Sequence, residues 1–162
     1  MTRIAVIGLG IWLADAEDRQ AAVDAWYEGR RLSKVPEDER AGALRGAAAR
    51  ALHDAGVWSR SAFEWIHVGE DRDEGAVDVD RWAGTIWEAL TEADDAFTEG
   101  RVDPVLITEV GASGGGAIVL KPQRITHGPR YAVIDGLGRW STGTTEDVAS
   151  GCRQGLVEAG VE

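Results

Sequence analysis

Residues 76–100, AVDVDRWAGTIWEALTEADDAFTEG, place a short alternating apolar stretch directly before an amphipathic helical pattern. Alternate apolar positions predict a strand, and apolar positions three and four residues apart predict a helix. A sharp turn at Trp82, Ala83 and Gly84 must join the two elements. Such an elbow often presents a nucleophile, because the first N–H groups of the helix lower a thiol pKa and polarise a bound carbonyl. None of these three side chains is a nucleophile.

The rest of the chain alternates apolar runs with helical patterns, which predicts an α/β fold. A continuous apolar run at residues 4–7 predicts a buried strand that ends at Gly8 and Gly10. Further strands are predicted at residues 63–69, 105–110, 117–121 and 131–135. We therefore expect a mixed sheet of about five strands with helices on both faces, in a single domain over residues 1–162.

Three helices are predicted besides the elbow helix, each from apolar residues at helical spacing. The first covers residues 16–31 and directs four side chains to the core: Ala22, Val23, Trp26 and Tyr27. The second ends at Gly56 and carries five: Leu44, Ala48, Ala51, Leu52 and Ala55. The last is capped by Thr144 or Thr145 and carries four: Val148, Cys152, Leu156 and Ala159. This spacing predicts a core position for Cys152.

Composition excludes several classes of function. The net charge of −11 over 162 residues disfavours binding to nucleic acid or to anionic membranes. The single cysteine cannot form an intramolecular disulfide, and without a CxxC or HxxxH spacing the sequence predicts no metal and no cofactor. The N-terminal apolar run is too short to span a bilayer and no cleavage signal follows it, so we expect a cytoplasmic protein.

Two glycine-rich segments have a structural and a functional interpretation. Gly8 and Gly10 resemble part of a dinucleotide fingerprint, with Arg30 and Arg31 placed near a 2′-phosphate, but the third glycine is missing. The segment at residues 111–116, GASGGG, could cradle a phosphate, but no helix with a Lys-Ser/Thr pair follows it. We interpret both as turns between structural elements.

Several stretches, in order along the chain, resemble the β-ketoacyl synthases of the thiolase superfamily. The opening strand IAVIGLG, the helix end AARALHDAGV and the strand WIHVG are each similar to a family segment. FTEGRVDPVLI and the hairpin EVGASGGGAIVLKP resemble the two segments that follow the nucleophile helix, and RYAVIDGLG and LVEAGVE resemble the next strand and helix. The resemblance implies a half-thiolase fold that corresponds to the N-terminal half of the family.

Aligned on Gly100 and Asp103, VDVDRWAGT lies over the strand and turn that carry the family's nucleophile. Asp80 matches an aspartate of that motif, and Ala83 falls on the cysteine that holds the acyl chain as a thioester. The family's two catalytic histidines lie in a C-terminal half without a counterpart in this sequence. The resemblance therefore implies a chain with no catalytic residue. It also implies a dimer, formed through a strand at Ala76, Val77, Asp78, Val79 and Asp80.

The elbow helix supports this interpretation through its own residues. One apolar stripe is formed by Ile86, Leu90, Ala93 and Phe97. The remaining surface is polar or acidic and comprises Glu88, Thr91, Glu92, Asp94, Asp95 and Glu99. A helix enclosed on all sides would need more apolar faces, because burying unpaired carboxylates costs several kcal/mol each. We expect the acidic face to be solvated or paired with a partner, in a sequence adapted to the absence of a covering half.

Three functions are compatible with these features. The first is a non-catalytic ketosynthase-like accessory subunit of polyketide or fatty acid biosynthesis, which forms a homodimer or a heterodimer with a ketosynthase-like protein. The second is a small enzyme or ligand-binding protein with a remodelled pocket, whose candidate residues are His67, Asp80, Trp82, Ala83, Trp87, Glu88 and His127. Against it, tryptophans can simply fill space, and His127 can be a loop residue beside Arg124 and Arg130.

The third function is docking of an acyl carrier protein. Carrier proteins are acidic, so docking would need one of two basic clusters, Arg30 with Arg31 and Lys34, or Arg45 with Arg50. The overall negative charge of the chain opposes such binding.

Overall fold

The computed structural model describes residues 3–16, 18–69, 78–138 and 144–161. The strands are β1 (Ile4–Leu13), β2 (Glu64–Val68), β3 (Arg81–Ala83), β4 (Val105–Gly111), β5 (Gly114–Pro122) and β6 (Ala132–Ile134). The helices are α1 (Arg19–Tyr27), α2 (Arg40–Asp54), α3 (Ile86–Thr98) and α4 (Thr145–Glu158). Short 3-10 turns lie at Glu37–Glu39, Arg60–Ala62 and Gln123–Ile125.

The six strands form one mixed sheet in the order β3-β2-β4-β5-β1-β6. β2 runs parallel to both β3 and β4, whereas β5 is antiparallel to β4 and β1, and β6 is antiparallel to β1. The predicted mixed α/β fold is confirmed, with one strand more than the expected five. The parallel pairs place the elbow strand β3 at an edge of the sheet, where β2 alone among the described strands pairs with it.

Each face of the sheet packs against its own helix. The α3 face is defined by alternate buried strand residues that pack with α3: Ile4, Val6, Ile66, Val68, Ala83, Val105, Ile107 and Leu120. The α2 face is defined by the intervening residues, which pack with α2: Trp65, Leu106, Ala117 and Val119. This alternation follows from the two-residue period of a strand. The face on which a side chain lies therefore decides which other side chains at the elbow it can contact.

Strand β1 does not end at Gly8 and Gly10 as predicted, but continues through both to Leu13. A Cβ atom added at Gly8 would clash with the carbonyl oxygen of Ala51, and one added at Gly10 would clash with that of Ala47. The two glycines therefore let the α2 backbone approach the sheet. Their role is close packing rather than chain reversal.

Helix α1 begins later than predicted, at Arg19, and the N-cap Asp18 accepts a hydrogen bond from the Ala21 N–H group. Trp26 and Tyr27, predicted to face the core, are 77% and 80% exposed. The buried residues of α1 are Ala22 and Ala25, because this short helix contacts the sheet only through small side chains.

Helix α4 also packs differently from the prediction. Thr144 caps it as expected, but Cys152 and Leu156 are exposed. The contact with the preceding segment is made by Gly151 and Gly155, whose backbones approach Gly138 and Gly136 too closely for any Cβ atom. Backbone contact between glycines replaces the predicted apolar stripe.

The predicted second helix and the predicted turn at GASGGG agree with the structure. Helix α2 buries Leu44, Ala48 and Ala51 and ends before Gly56, whose φ is +69°. The GASGGG segment forms the tight connection between β4 and β5. Residues 70–74, a charged segment of the sequence, lie outside the described residues. Within the described part of the chain, no helix is long and apolar enough to cross a membrane, and no group of three or more metal-binding side chains occurs.

The close approach of α2 to β1 predicts a large difference between two glycine substitutions. Gly10→Ala should lower the free energy of unfolding by about 3 kcal/mol or more, because the rigid backbone of α2 blocks the methyl group. Urea unfolding followed by circular dichroism measures the change.

The matched control is Gly116→Ala on β5, where an added Cβ atom has no neighbour within 4 Å. Its stability should stay within about 1 kcal/mol of the parent. Equal stability of the two variants would contradict the close packing of α2 on β1.

Candidate functional site

The turn between β3 and α3 is closed by its own side chains. Ala83 is 3% exposed, and Thr85 is the N-cap of α3. The Glu88 carboxylate accepts hydrogen bonds from the N–H groups of Gly84, at 2.6 Å, and Thr85, at 3.3 Å. The Thr85 hydroxyl in turn accepts a hydrogen bond from the Glu88 N–H group at 3.2 Å. This capping box satisfies the backbone N–H groups of Gly84, Thr85 and Glu88.

The capping box changes what the elbow can do chemically. Backbone N–H groups at a helix N-terminus stabilise a thiolate or an oxyanion only when they point at it. Here the Gly84 and Thr85 N–H groups bind a carboxylate that belongs to the helix itself. The side chain at Ala83 is a methyl group and not a nucleophile, and these two donors are already used within the turn.

The sequence predicted Glu88 to be an acidic surface residue and a pocket candidate. Its role in the geometry of the turn was not predicted. A signal was present, because Thr85 followed three residues later by a glutamate is the pattern of a capping box.

The sheet divides the candidate pocket residues between its two faces. His67 pairs with Trp82, and Val68 pairs with Ala83, in the parallel register of β2 and β3. Since paired residues project to the same side, His67 and Trp82 lie on the α2 face and Ala83 lies on the α3 face. The sheet itself therefore separates Ala83 from the histidine.

His67 forms part of a buried polar chain. Its Nδ1 atom lies 3.0 Å from the hydroxyl oxygen of Thr108, which also accepts a hydrogen bond from Trp65 Nε1 at 2.8 Å. The ring of Trp82 meets that of His67 edge to face, with centroids 5.0 Å apart. Both His67 and Thr108 are buried. These contacts hold His67 between three strands, consistent with a packed histidine.

Asp80 is held by groups that connect the elbow to β2. Its carboxylate accepts hydrogen bonds from the Trp65 N–H group and from Arg60, both at 2.8 Å. Partial burial raises the pKa of Asp80, but the Trp65 N–H group and the Arg60 guanidinium outweigh it and hold the pKa below its ordinary value. Asp80 is therefore ionised and anchors the chain at the entry to β3.

The other pocket candidates lie apart from this group. Trp87 and Glu88 are exposed in the first turn of α3, and His127 is exposed in the loop between β5 and β6. His67 and Trp82 are in contact on the α2 face, whereas Glu88 binds the turn at the start of α3. Asp80 lines a separate shallow cleft with Glu64, next to β3.

The strand predicted for dimer formation is displaced along the chain. Asp78, Val79 and Asp80 precede the strand, and β3 begins at Arg81. Ala76 and Val77 lie outside the described residues. The Asp80 side chain binds Trp65 and Arg60 at the point where the chain enters the sheet. The regular pairing of β3 with β2 therefore begins after Asp80, at Arg81.

Helix α3 follows its predicted stripe with one exception. Leu90, Ala93 and Phe97 are buried, and most of the acidic side chains are not. Asp94, however, is only 6% exposed, so the predicted solvated face is narrower than expected. Glu92 lies 3.8 Å from Arg81, which links the helix to β3.

In each of the two basic clusters predicted for carrier docking, one arginine is bound within the chain. Arg30 forms a salt bridge with Glu28 at 2.6 Å, and Arg50 donates a hydrogen bond to the Ile11 carbonyl group. The side chains of Arg31, Lys34 and Arg45 are exposed. Part of the positive charge in each cluster is therefore already bound within the chain.

Solved structures of other proteins share the fold of this chain. No family model and no curated protein matches the chain. A ketosynthase domain of OzmH from Streptomyces albus matches with a TM-score of 0.68 and 19% identity, over 99% of this chain and 62% of that domain. The ishigamide ketosynthase/chain length factor matches with a TM-score of 0.67 and 15% identity, over 99% and 70%.

A third structure, AntDE:AntF, contains a type II polyketide synthase acyl carrier protein in complex with its ketosynthase. It matches with a TM-score of 0.67 and 14% identity, over 99% of this chain and 71% of that chain. The chain thus spans about two thirds of each of these structures. It has the thiolase-like fold of the β-ketoacyl synthases and chain length factors, which confirms the resemblance found in the sequence.

Proposed function

We propose that the protein is a non-catalytic, ketosynthase-like partner subunit in polyketide or fatty acid biosynthesis, which acts by association. The observation that carries this proposal is the elbow, where Ala83 stands in place of a nucleophile and the Glu88 carboxylate binds the N–H groups of the turn. A loss of the cysteine alone would leave an intact anion site. The carboxylate at Gly84 and Thr85 makes the turn a closed structural element.

The edge of the sheet supports association as the mode of action. Strand β3 pairs only with β2 among the described strands, and an edge strand is a ready site for pairing with another chain. Trp87 lies beside it in the first turn of α3 with 54% of its surface exposed. Exposed tryptophans next to an open edge are typical of interface anchors. The partner surface therefore comprises β3 and the first turn of α3.

A ketosynthase-like protein fits this surface, as a second copy of the chain or as a heterologous subunit. The fold is shared with chain length factors, which supports pairing with a ketosynthase. An acyl carrier protein is a further partner in this proposal, through the exposed Arg31, Lys34 and Arg45. The alternative of a remodelled pocket at the elbow receives less support, because the sheet lies between Ala83 and His67.

The association surface predicts unequal effects of two tryptophan substitutions. With a type II ketosynthase as the test partner, Trp87→Ala should weaken the complex about tenfold or more, because it removes the exposed aromatic side chain in the first turn of α3. Native mass spectrometry and sedimentation velocity measure the assembly.

The matched control is Trp58→Ala, which removes a tryptophan that is even more exposed, beside α2 on the opposite face of the sheet. Its complex should stay within about twofold of the parent. A chain that remains monomeric, both alone and with ketosynthase partners, would overturn the proposed function.

The closed elbow predicts the outcome of restoring the nucleophile. In a Cys152→Ser background, which removes the exposed native thiol, Ala83→Cys should show no condensing activity, and its thiol should react slowly with iodoacetamide at neutral pH. The Glu88 carboxylate disfavours the thiolate and occupies the N–H groups that would stabilise it.

Adding Glu88→Gln to this variant should raise the alkylation rate, since it removes the negative charge while leaving an amide oxygen to accept from the turn. Intact-protein mass spectrometry over a pH series measures both rates. Condensing activity of Ala83→Cys alone would show that the elbow is catalytically competent and would exclude a non-catalytic role.

A further inference from the structure

One segment of this acidic chain carries a net positive charge because it lacks acidic residues. No aspartate or glutamate occurs between Glu109 and Asp135, although the chain as a whole carries a net charge of −11. The same segment contains Lys121, Arg124 and Arg130, together with His127. It comprises β5, β6 and the loop between them.

This loop encloses a cleft on the α2 face, distant in the sheet order from the elbow. The cleft has a volume of about 470 Å³. Its walls are the end of α2 at Asp54 and Ala55, the β1 residue Ile7, the β5 residue Lys121, and the loop at residues 125–131. Sites for small molecules have volumes of about 300–1,000 Å³, so the cleft has the size of a ligand site.

Three cationic or proton-donating side chains line the cleft without a partner. Lys121, His127 and Arg130 form no hydrogen bond or ion pair with any described residue, whereas Arg3, Arg19, Arg60, Arg81 and Arg101 all form salt bridges. Lys121 is also half-buried. The donors that face the cleft are therefore available to a bound anion.

The single carboxylate in the cleft does not cancel this charge. Partial burial raises the pKa of Asp54, but the Tyr131 hydroxyl, the Leu9 N–H group and Arg19 lower it below its ordinary value. Asp54 is thus ionised and already matched by Arg19, 3.7 Å away. The C-terminal end of α2 adds only about half a negative charge, against two full cations at Lys121 and Arg130. The side chains that line the cleft therefore carry a net positive charge.

The loop is held in place at both ends. The Thr126 hydroxyl donates to the Pro122 carbonyl group at 2.9 Å, and the Tyr131 N–H group donates to the Val6 carbonyl group at 2.8 Å. Between these anchors, the N–H groups of residues 127, 128 and 130 have no acceptor among the described residues. An anchored loop with unused donors is suited to bind an anion without a large ordering cost.

The geometry points to a site for a phosphate ester of a compact apolar group. Lys121, His127 and Arg130 provide charged and hydrogen-bonding groups for the phosphate, since arginine and lysine bind phosphate oxygens strongly. Ile7, Ala55 and Ile125 provide an apolar wall that a free phosphate ion would leave uncovered. This site is independent of the proposed partner surface and of the elbow.

Phenyl phosphate is the probe for this site, with inorganic phosphate and phenol as its two separate parts. Amide chemical shifts are followed by NMR during each titration at constant ionic strength. Phenyl phosphate should bind about tenfold more tightly than inorganic phosphate, because its ring covers the apolar wall. The shifts should be largest at residues 121, 127, 128 and 130.

Arg130→Gln tests the charge, and Arg124→Gln is the matched control, because Arg124 is exposed on the same loop but does not line the cleft. Arg130→Gln should weaken phenyl phosphate binding about tenfold or more, and Arg124→Gln by about twofold at most. Both side chains are exposed, so both variants should retain the parent fold, as their amide spectra report.

Three results would overturn the site: no shifts at the cleft up to about 10 mM phenyl phosphate, equal losses in the two arginine variants, or equal affinity for phenyl phosphate and inorganic phosphate. The second would reveal general attraction to a basic loop. The third would exclude the ester as the ligand.

Discussion

The close packing of α2 on β1 and β5 is the contact on which the rest of the structure depends. Ala43, Ala47 and Ala51 form one fully buried ridge of α2, four residues apart. Their carbonyl groups face Gly115, Gly10 and Gly8, at which a Cβ atom would be 2.8 Å or less from the helix. Glycine opposite alanine brings two backbones together without a void, and so fixes helix and sheet as one unit.

The elbow is built on the other face of that unit, and there the decisive interaction is local. Glu88 binds the N–H groups of Gly84 and Thr85, so the start of α3 is stabilised by its own carboxylate. A catalytic elbow needs the same donors for its substrate or nucleophile. The same few atoms cannot serve both purposes at once, so the stability of this turn and the absence of a nucleophile at Ala83 are two aspects of one arrangement.

The sequence predicted the features that depend on periodicity and missed those that depend on contacts between distant residues. The stripe of α2 and the positions of most strands along the chain follow from local patterns. The role of Gly8 and Gly10 does not, because a glycine that ends a strand and a glycine that admits a helix have the same local sequence. Trp26 and Cys152 were assigned to the core for a similar reason: spacing identifies a face of a helix but not whether another element covers it.

The candidate site shows the same division. The capping box can be recognised from the sequence, because Thr85 and Glu88 are three residues apart and lie within one turn of the helix. The separation of Ala83 from His67 required the register of β2 and β3, since a shift of one residue would have placed them on the same face.

The bulge in β1 connects this framework to the basic cleft. The register between β1 and β5 shifts between Val6 and Gly8, so Ile7 has no partner on β5. The Leu9 N–H group beyond the bulge binds Asp54 at the end of α2, and the Val6 carbonyl group before it binds the Tyr131 N–H group. The end of α2 and the loop before β6, which form two walls of the cleft, are therefore both hydrogen-bonded to β1 next to its bulge. Because the alanine and glycine contacts fix α2 against β1, the core positions the end of α2 relative to the loop that forms the facing wall of the cleft.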